Sequence, residues 1–290
     1  MLKINSLKNK IKNCYTYYTH KLFLKLYVTT GLYGIKYLIN PSSSLDTLIQ
    51  KEGTLHDWNI LKKLDTVLRD DSIIFDIGAN VGHLSLLFAK KLAPNGSVFC
   101  YEPDQENREQ LTKNKDLNSA KNITILPYAL QDNQDITEAE FSIRRSIDGD
   151  GNQNRGLSSL KKIIKFTKDV LSVPASTIDK ECKRLSIAHL DFIKIDVEGA
   201  EYMVLQGGEA SIRKYKPIIQ YEYSNVLDAL MKENNTMLSF NFLQSLGYKQ
   251  LYEKEAGTLT ELRNPDPTMK DVNMVCFHQD ALPQNFQTKE

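Results

Sequence analysis

Five short apolar runs constrain this chain more than any other feature. They cover residues 72–77, 97–103, 122–130, 190–197 and 216–224. Stretches with helical spacing of apolar residues lie among them, at 56–68, 83–92, 105–118 and 177–185. Buried strands alternating with amphipathic helices fold as a parallel sheet with helices on both faces. The end of the chain departs from this rhythm. Runs at 248–254 and 272–278 follow each other with no helical pattern between, only an irregular loop containing Asn264-Pro-Asp-Pro267. Two strands joined in that way pair as antiparallel neighbours. The fold class expected is therefore α/β, Rossmann-like, with one reversed strand near the edge of a mostly parallel sheet.

Four of the five runs end in an acid: Asp76, Glu102, Asp196 and Glu222. Open α/β sheets bind ligands outside the carboxyl ends of their strands. One strand-end carboxylate is as readily a solvated charge as a functional group, whereas four in register favour a site. The loop after the first run, Asp76-Ile-Gly-Ala-Asn-Val-Gly82, narrows the ligand. It lacks the Lys-Ser/Thr of a phosphate-binding loop. It also lacks GxGxxG, because Asn80 and His83 stand where the second and third glycines belong. Gly78 and Gly82 permit a tight turn and close backbone approach to a ligand. The acid before them disfavours a polyphosphate and favours an ammonium group. Glu102, twenty residues after Gly82, is placed to accept hydrogen bonds from a ribose. A ribose joined to an amino acid describes S-adenosylmethionine. Asp76, Gly78, Asn80, Gly82 and Glu102 are the expected cofactor residues. His83 reads more readily as a packing or capping residue than as a catalyst.

The charge balance, 37 Lys+Arg against 36 Asp+Glu, disfavours a nucleic-acid partner. The four cysteines are scattered without CxxC spacing, so no zinc site is expected and a reduced, cytoplasmic compartment fits best. Residues 1–40 hold seven lysines and no acid, interleaved with aromatic and aliphatic side chains. Residues 1–44 read as a basic, aromatic-rich helical extension to a domain over 45–290. Packing on that domain is the commoner use of such a segment. The alternative is weak contact with an anionic membrane surface, which would make the protein peripheral to a membrane.

Three segments in order resemble the FkbM family of class I S-adenosylmethionine-dependent methyltransferases. They are Phe-Asp-Ile-Gly-Ala-Asn-Val-Gly around Asp76, the Glu102-Pro103 pair, and the run Asp191 to Gly208 containing Lys-Ile-Asp-Val-Glu-Gly-Ala-Glu. Residues 156–160 and 216–224 add shorter likenesses. The resemblance implies a seven-stranded sheet and methylation of a hydroxyl, on a sugar, glycolipid or other small-molecule acceptor. It explains neither residues 1–40 nor most of 143–168. A sugar hydroxyl is a poor nucleophile at neutral pH, so a group accepting its proton is expected. Asp196 and Glu222 lead as catalytic candidates. Lys194 lies two residues before Asp196, on the same strand face. As a buried lysine it needs a partner, expected among Glu198, Glu201 or Glu222. Glu198 joins the catalytic set, whereas Glu201 reads as a charge favoured by a helix start. Mg²⁺ held by Asp196 and Glu222 is a less favoured reading, since two carboxylates are few for a hard cation. A ligand-binding domain of this fold without catalysis is the alternative function.

Overall fold

The computed structural model describes residues 27–39, 58–142, 146–147, 153–154, 159–160, 170–224, 235–255, 258–264, 269 and 271–281. The strands are β1 (Tyr27–Thr30), β2 (Lys36–Ile39), β3 (Ile73–Ile77), β4 (Ser97–Tyr101), β5 (Ile123–Leu126), β6 (Ala129–Leu130), β7 (Glu138–Ser142), β8 (Ser146–Ile147), β9 (Gln153–Asn154), β10 (Ser159–Leu160), β11 (Val170–Ser176), β12 (Phe192–Ile195), β13 (Ile218–Tyr223), β14 (Tyr248–Glu255), β15 (Thr258–Leu262) and β16 (Val272–His278). The helices are α1 (Trp58–Leu64), α2 (His83–Leu87), α3 (Gln105–Leu117), α4 (Ile178–Arg184), α5 (Glu201–Gln206), α6 (Glu209–Tyr215) and α7 (Asn235–Ser245). Sequence chemistry sets several boundaries. Asp104 caps α3 by accepting from the Glu106 and Asn107 N–H groups, and Thr177 caps α4 through the Lys180 N–H.

The main sheet has eight strands in the order β15-β14-β16-β13-β12-β3-β4-β5. From β13 to β5 all pairings are parallel; β16 runs antiparallel to both β13 and β14. The mostly parallel α/β class is as expected, and so is the antiparallel pairing of β14 with β16. The strand count differs from the seven that the resemblance implies. The stretch expected to be an irregular loop contributes β15, which pairs antiparallel to β14 at the edge and adds a second reversed strand. The run at 122–130 also divides. Pro127 has no N–H for a ladder, so β5 stays in the main sheet while β6 joins a separate sheet, β10-β7-β11-β6.

Each face of the main sheet carries its own core. Ile74, Val98, Phe192, Val275 and Leu251 pack with the hairpin residues Tyr37 and Ile39, with Leu61 and Leu64 of α1, and with Phe88 just beyond α2. Phe75, Ile193, Ile219, Tyr221 and Cys276 pack on the other face with Ile178, Val204, Ile212 and Leu243 of α4 to α7.

Residues 27–39 are a β-hairpin, not part of a helical extension. β-Branched Val28, Thr29 and Thr30 favour strand, and Gly34 at φ +70° closes the turn. The hairpin's backbone is read by amides on one stripe of α3. Asn118 Oδ1 accepts from the Lys36 N–H at 2.9 Å, and Asn114 Oδ1 from the Leu38 N–H at 2.7 Å. Gln110 Nε2 donates to the Leu38 carbonyl at 2.8 Å. Residues 1–26, the expected turn at 40–47 and most of 143–168 lie outside the described residues.

Candidate functional site

The carboxyl ends of β3, β4, β12 and β13 come together on one edge of the sheet. Lys194 is the register partner of Asp76 on one side and of Gln220 on the other. One step further, Asp196 follows Ile195, whose partners are Ile77 and Tyr221, so Gly78, Asp196 and Glu222 stand side by side. All four strand-end acids therefore reach one edge, as do Gly78, Asn80, Lys194 and Glu198.

The glycine loop is wedged between two neighbours. Gly78 has φ +80°, and a Cβ there would lie 1.8 Å from the Asp196 carbonyl oxygen. Its N–H donates to the Tyr101 carbonyl at 2.9 Å. Asn80, at φ +51°, donates its N–H to Glu102 Oε2 at 2.8 Å. Gly82, at φ +85°, precedes α2, and a Cβ there would press on Leu111 of α3 at 2.7 Å. Gly82 thus serves helix packing. Asn114 ties the loop to the hairpin, since its Nδ2 donates to the Val81 carbonyl at 2.8 Å. His83 is buried with its ring edge-to-face against Tyr37 at 5.3 Å, the packing role expected of it.

Glu102 is buried and fixed. Its Oε1 accepts from the Asp104 N–H at 2.9 Å and from Asn107 Nδ2 at 3.4 Å. Burial pushes its carboxyl up to about 7, against the pull of the Asp104 and Asn80 N–H groups. A carboxylate has about four lone-pair positions, so these bonds leave Glu102 room to accept from a ligand. Asp76 is likewise buried. Ser85 Oγ donates to its Oδ2 at 2.5 Å, while Oδ1 has no partner among the described residues. Burial raises its pKa above the ordinary aspartate value, with Lys194 and Ser85 opposing. The Asn80 side-chain oxygen is also buried without a partner.

Lys194 pairs with Asp196 at 3.0 Å, its own strand neighbour on the same face and a partner not among those expected, and its charge also acts on Glu198 and Glu222, two of the expected ones. The lysine side chain is 7% exposed and the aspartate 45%, so this pair links the interior to the open edge. Glu201 Oε1 accepts from the Val197 N–H at 3.0 Å, and burial pushes the group up to about 7. Glu201 is the first residue of α5, as its expected place at a helix start has it, but burial there disfavours the charge that the helix was expected to favour. Glu198 sits at φ +55°, a conformation costing a non-glycine residue about 1–2 kcal/mol. Burial, then Asp196, Glu222 and Glu201, hold its carboxyl well above the usual range. Burial and the charges of Asp196, Glu201 and Asp271 push Glu222 up to about 8. Among the described residues no group of three or more His, Cys, Asp or Glu is arranged to hold a metal ion. No helix among them is long and apolar enough to cross a membrane.

Sequence reasoning missed Gln220, Ser85, Asn107 and Asp271. Gln220 carries a readable signal, a lone amide in the apolar run Ile218-Ile-Gln-Tyr-Glu222, spaced two from the acid it accompanies.

The family profile of the methyltransferase FkbM domain matches residues 76–249, from the first strand-end acid to the start of β14. The chain belongs to this family. Among curated proteins it is similar to the 2-O-methyltransferase NoeI of Sinorhizobium fredii, 27% identical over 167 residues, covering 54% of this chain and 65% of NoeI. It is also similar to the AMB antimetabolite synthetase AmbE of Pseudomonas aeruginosa, 26% identical over 179 residues, covering 53% of this chain and 8% of AmbE. The chain thus spans less than two thirds of either relative's length. Among solved structures, an FkbM methyltransferase from Methylobacillus flagellatus is 20% identical with a TM-score of 0.42, covering 73% of this chain and 45% of that one. An S-adenosylmethionine-dependent O-methyltransferase from Thermotoga maritima is 12% identical with a TM-score of 0.41, covering 87% and 77%.

Proposed function

We propose that this FkbM-family protein transfers a methyl group from S-adenosylmethionine to a hydroxyl of a sugar, glycolipid or other small-molecule acceptor. The observation that carries the reading is the division of the edge into two halves. Asp76, Gly78, Asn80 and Glu102 surround the glycine loop. Asp196 and Glu222 stand beyond it, past the point where Gly78 meets the Asp196 carbonyl.

The first half suits the cofactor's chemistry. Asp76 Oδ1 and the Asn80 side-chain oxygen are buried acceptors without protein partners, and both would receive N–H or O–H donors. Glu102 has acceptor positions to spare for ribose hydroxyls. When bound, S-adenosylmethionine supplies an electrophilic methyl group, which the protein has only to align with a nucleophile. In the second half Glu222 holds the acceptor proton. A carboxyl titrating at about 8 is near the working pH, where a base is both available and strong enough. Lys194 pairs with Asp196 beside it and fixes its direction.

Calorimetry with S-adenosylmethionine and with NAD tests the first half. Glu102→Ala should weaken S-adenosylmethionine at least tenfold, since charge-assisted hydrogen bonds contribute about 1.5–3 kcal/mol each. Unchanged affinity removes Glu102 from the site. Glu222→Gln and Asp196→Asn should keep cofactor affinity and lower turnover by about 10²–10⁴. Wild-type rates for both, or loss of cofactor by either, would reject the division into halves.

A further inference from the structure

The acceptor half carries more negative charge than proton transfer requires. Asp196, Glu198, Glu201, Glu222 and Asp271 act on one another through their charges, and Lys194 is the cation that offsets them. Glu201 is committed to the backbone of its own loop. Asp271 accepts from Ser224 Oγ, just past the end of β13. Asp196 is half-exposed, and Glu198 and Glu222 are partly buried.

Like charges crowded in this way are costly, and a protein tolerates them where a ligand relieves the cost. A second observation shows that something polar is lacking there. Gln220 is 1% exposed, and among the described residues neither its amide nitrogen nor its amide oxygen has a partner. Leaving a buried amide unpaired costs about 1–3 kcal/mol per group. Gln220 lies beside Lys194 in register and two residues before Glu222, so its side chain shares their face directly below the carboxylates. Its oxygen is an acceptor, as the carboxylates are.

We propose that the acceptor carries a positive charge, an amine or ammonium close to the hydroxyl that is methylated, and that Asp196, Glu198, Glu222 and Asp271 receive it above the amide of Gln220. This names the acceptor class for the site and rests on the methyl-transfer reading, although binding itself needs neither turnover nor cofactor. Shape favours an ammonium over a metal ion, because these carboxylates are not arranged as a metal cage. Recognition also couples to protons. Carboxyls held above their ordinary range are partly protonated at neutral pH, and an arriving cation ionises them, so binding releases protons.

The test is calorimetry at pH 7 with spermidine as the cation, in two buffers of different ionisation enthalpy. Binding with release of about half a proton or more per spermidine is expected. Glu198→Gln combined with Asp271→Asn should weaken it at least tenfold, while Asp135→Asn on a remote exposed turn should leave it unchanged. No binding, binding without proton release, or equal loss in the remote variant would overturn the proposal. Tighter binding of Mg²⁺ than of spermidine would overturn it in favour of a metal site. If spermidine binds as expected but S-adenosylmethionine does not, the methyl-transfer reading fails and the cation subsite stands.

Discussion

Replacing Gly78 by alanine isolates what the glycine loop needs from its backbone. The new Cβ would sit 1.8 Å from the Asp196 carbonyl oxygen and 2.9 Å from its carbon. Ordinary contact begins near 3.5 Å, so the two chains must part by about 1.5 Å. No side chain can rotate away, because the obstacle is backbone. The bond that holds the chains together there, Asp196 N–H to the Ile77 carbonyl at 3.0 Å, would be lost at about 0.5–1.5 kcal/mol. Alanine at φ +80° adds about 1–2 kcal/mol. The sum is about 1.5–3.5 kcal/mol, or a Tm lowered by roughly 3–14 °C for a chain of this size. Gly34→Ala is the control. Gly34 has φ +70° but nothing within 4 Å of an added Cβ, so it bears the conformational cost alone. Thermal unfolding of both variants, with S-adenosylmethionine affinity measured alongside, decides the matter. Equal destabilisation of the two would refute the steric argument, and a destabilised Gly78→Ala with full cofactor affinity would show that the loop relaxes without losing its shape.

Two further outcomes follow from the geometry. Asn114→Ala removes the partners of the part-buried Leu38 N–H and the buried Val81 carbonyl, and should cost about 2–6 kcal/mol at the usual value for unpaired buried groups. Chemical unfolding measures it, and a loss under 1 kcal/mol would mean water replaces the amide. Glu102, Glu201 and Glu222 have folded values of about 7, 7 and 8, above the ordinary glutamate value, so the folded state holds protons that the unfolded chain has released. Stability of the ligand-free protein should therefore fall as pH rises from about 5 to 8. Denaturant titrations at pH 5.5, 7 and 8.5 check the sign, and a stability rising across that range would contradict these environments.

The sheet and the strand-end acids were legible because period and punctuation agree there: the apolar runs are short, four of the five end in an acid, and helical patterns lie among them. Asp104 and Thr177 mark helix starts as sequence rules anticipate. What was not legible depended on long-range pairing. Thr258 to Leu262 alternates only weakly and acquires strand character by lying against β14. The hairpin over residues 27–39 looked helical because lysines spaced among aromatics suit either structure, and the amides that select a strand are some seventy residues away on α3. The Lys194–Asp196 pair adds to the acids expected around that lysine, since Asp196 is held on the same face without any change of backbone. Neither the crowding around Glu222 nor the unpaired amide of Gln220 could be read from spacing, because both depend on the register between β12, β13 and β16.

The stripe of Gln110, Asn114 and Asn118 also sets an order of events during synthesis. Its bonds to the hairpin join residues separated by 72, 76 and 82 positions. At a translation rate of about 5–20 residues per second, the hairpin leaves the ribosome several seconds before the helix that satisfies it exists. A lone two-stranded hairpin is at best marginally stable in water. The amino-terminal strands therefore wait unfolded while β3, the glycine loop and α3 are made, and that early-made segment closes over the loop only once α3 is there to receive it.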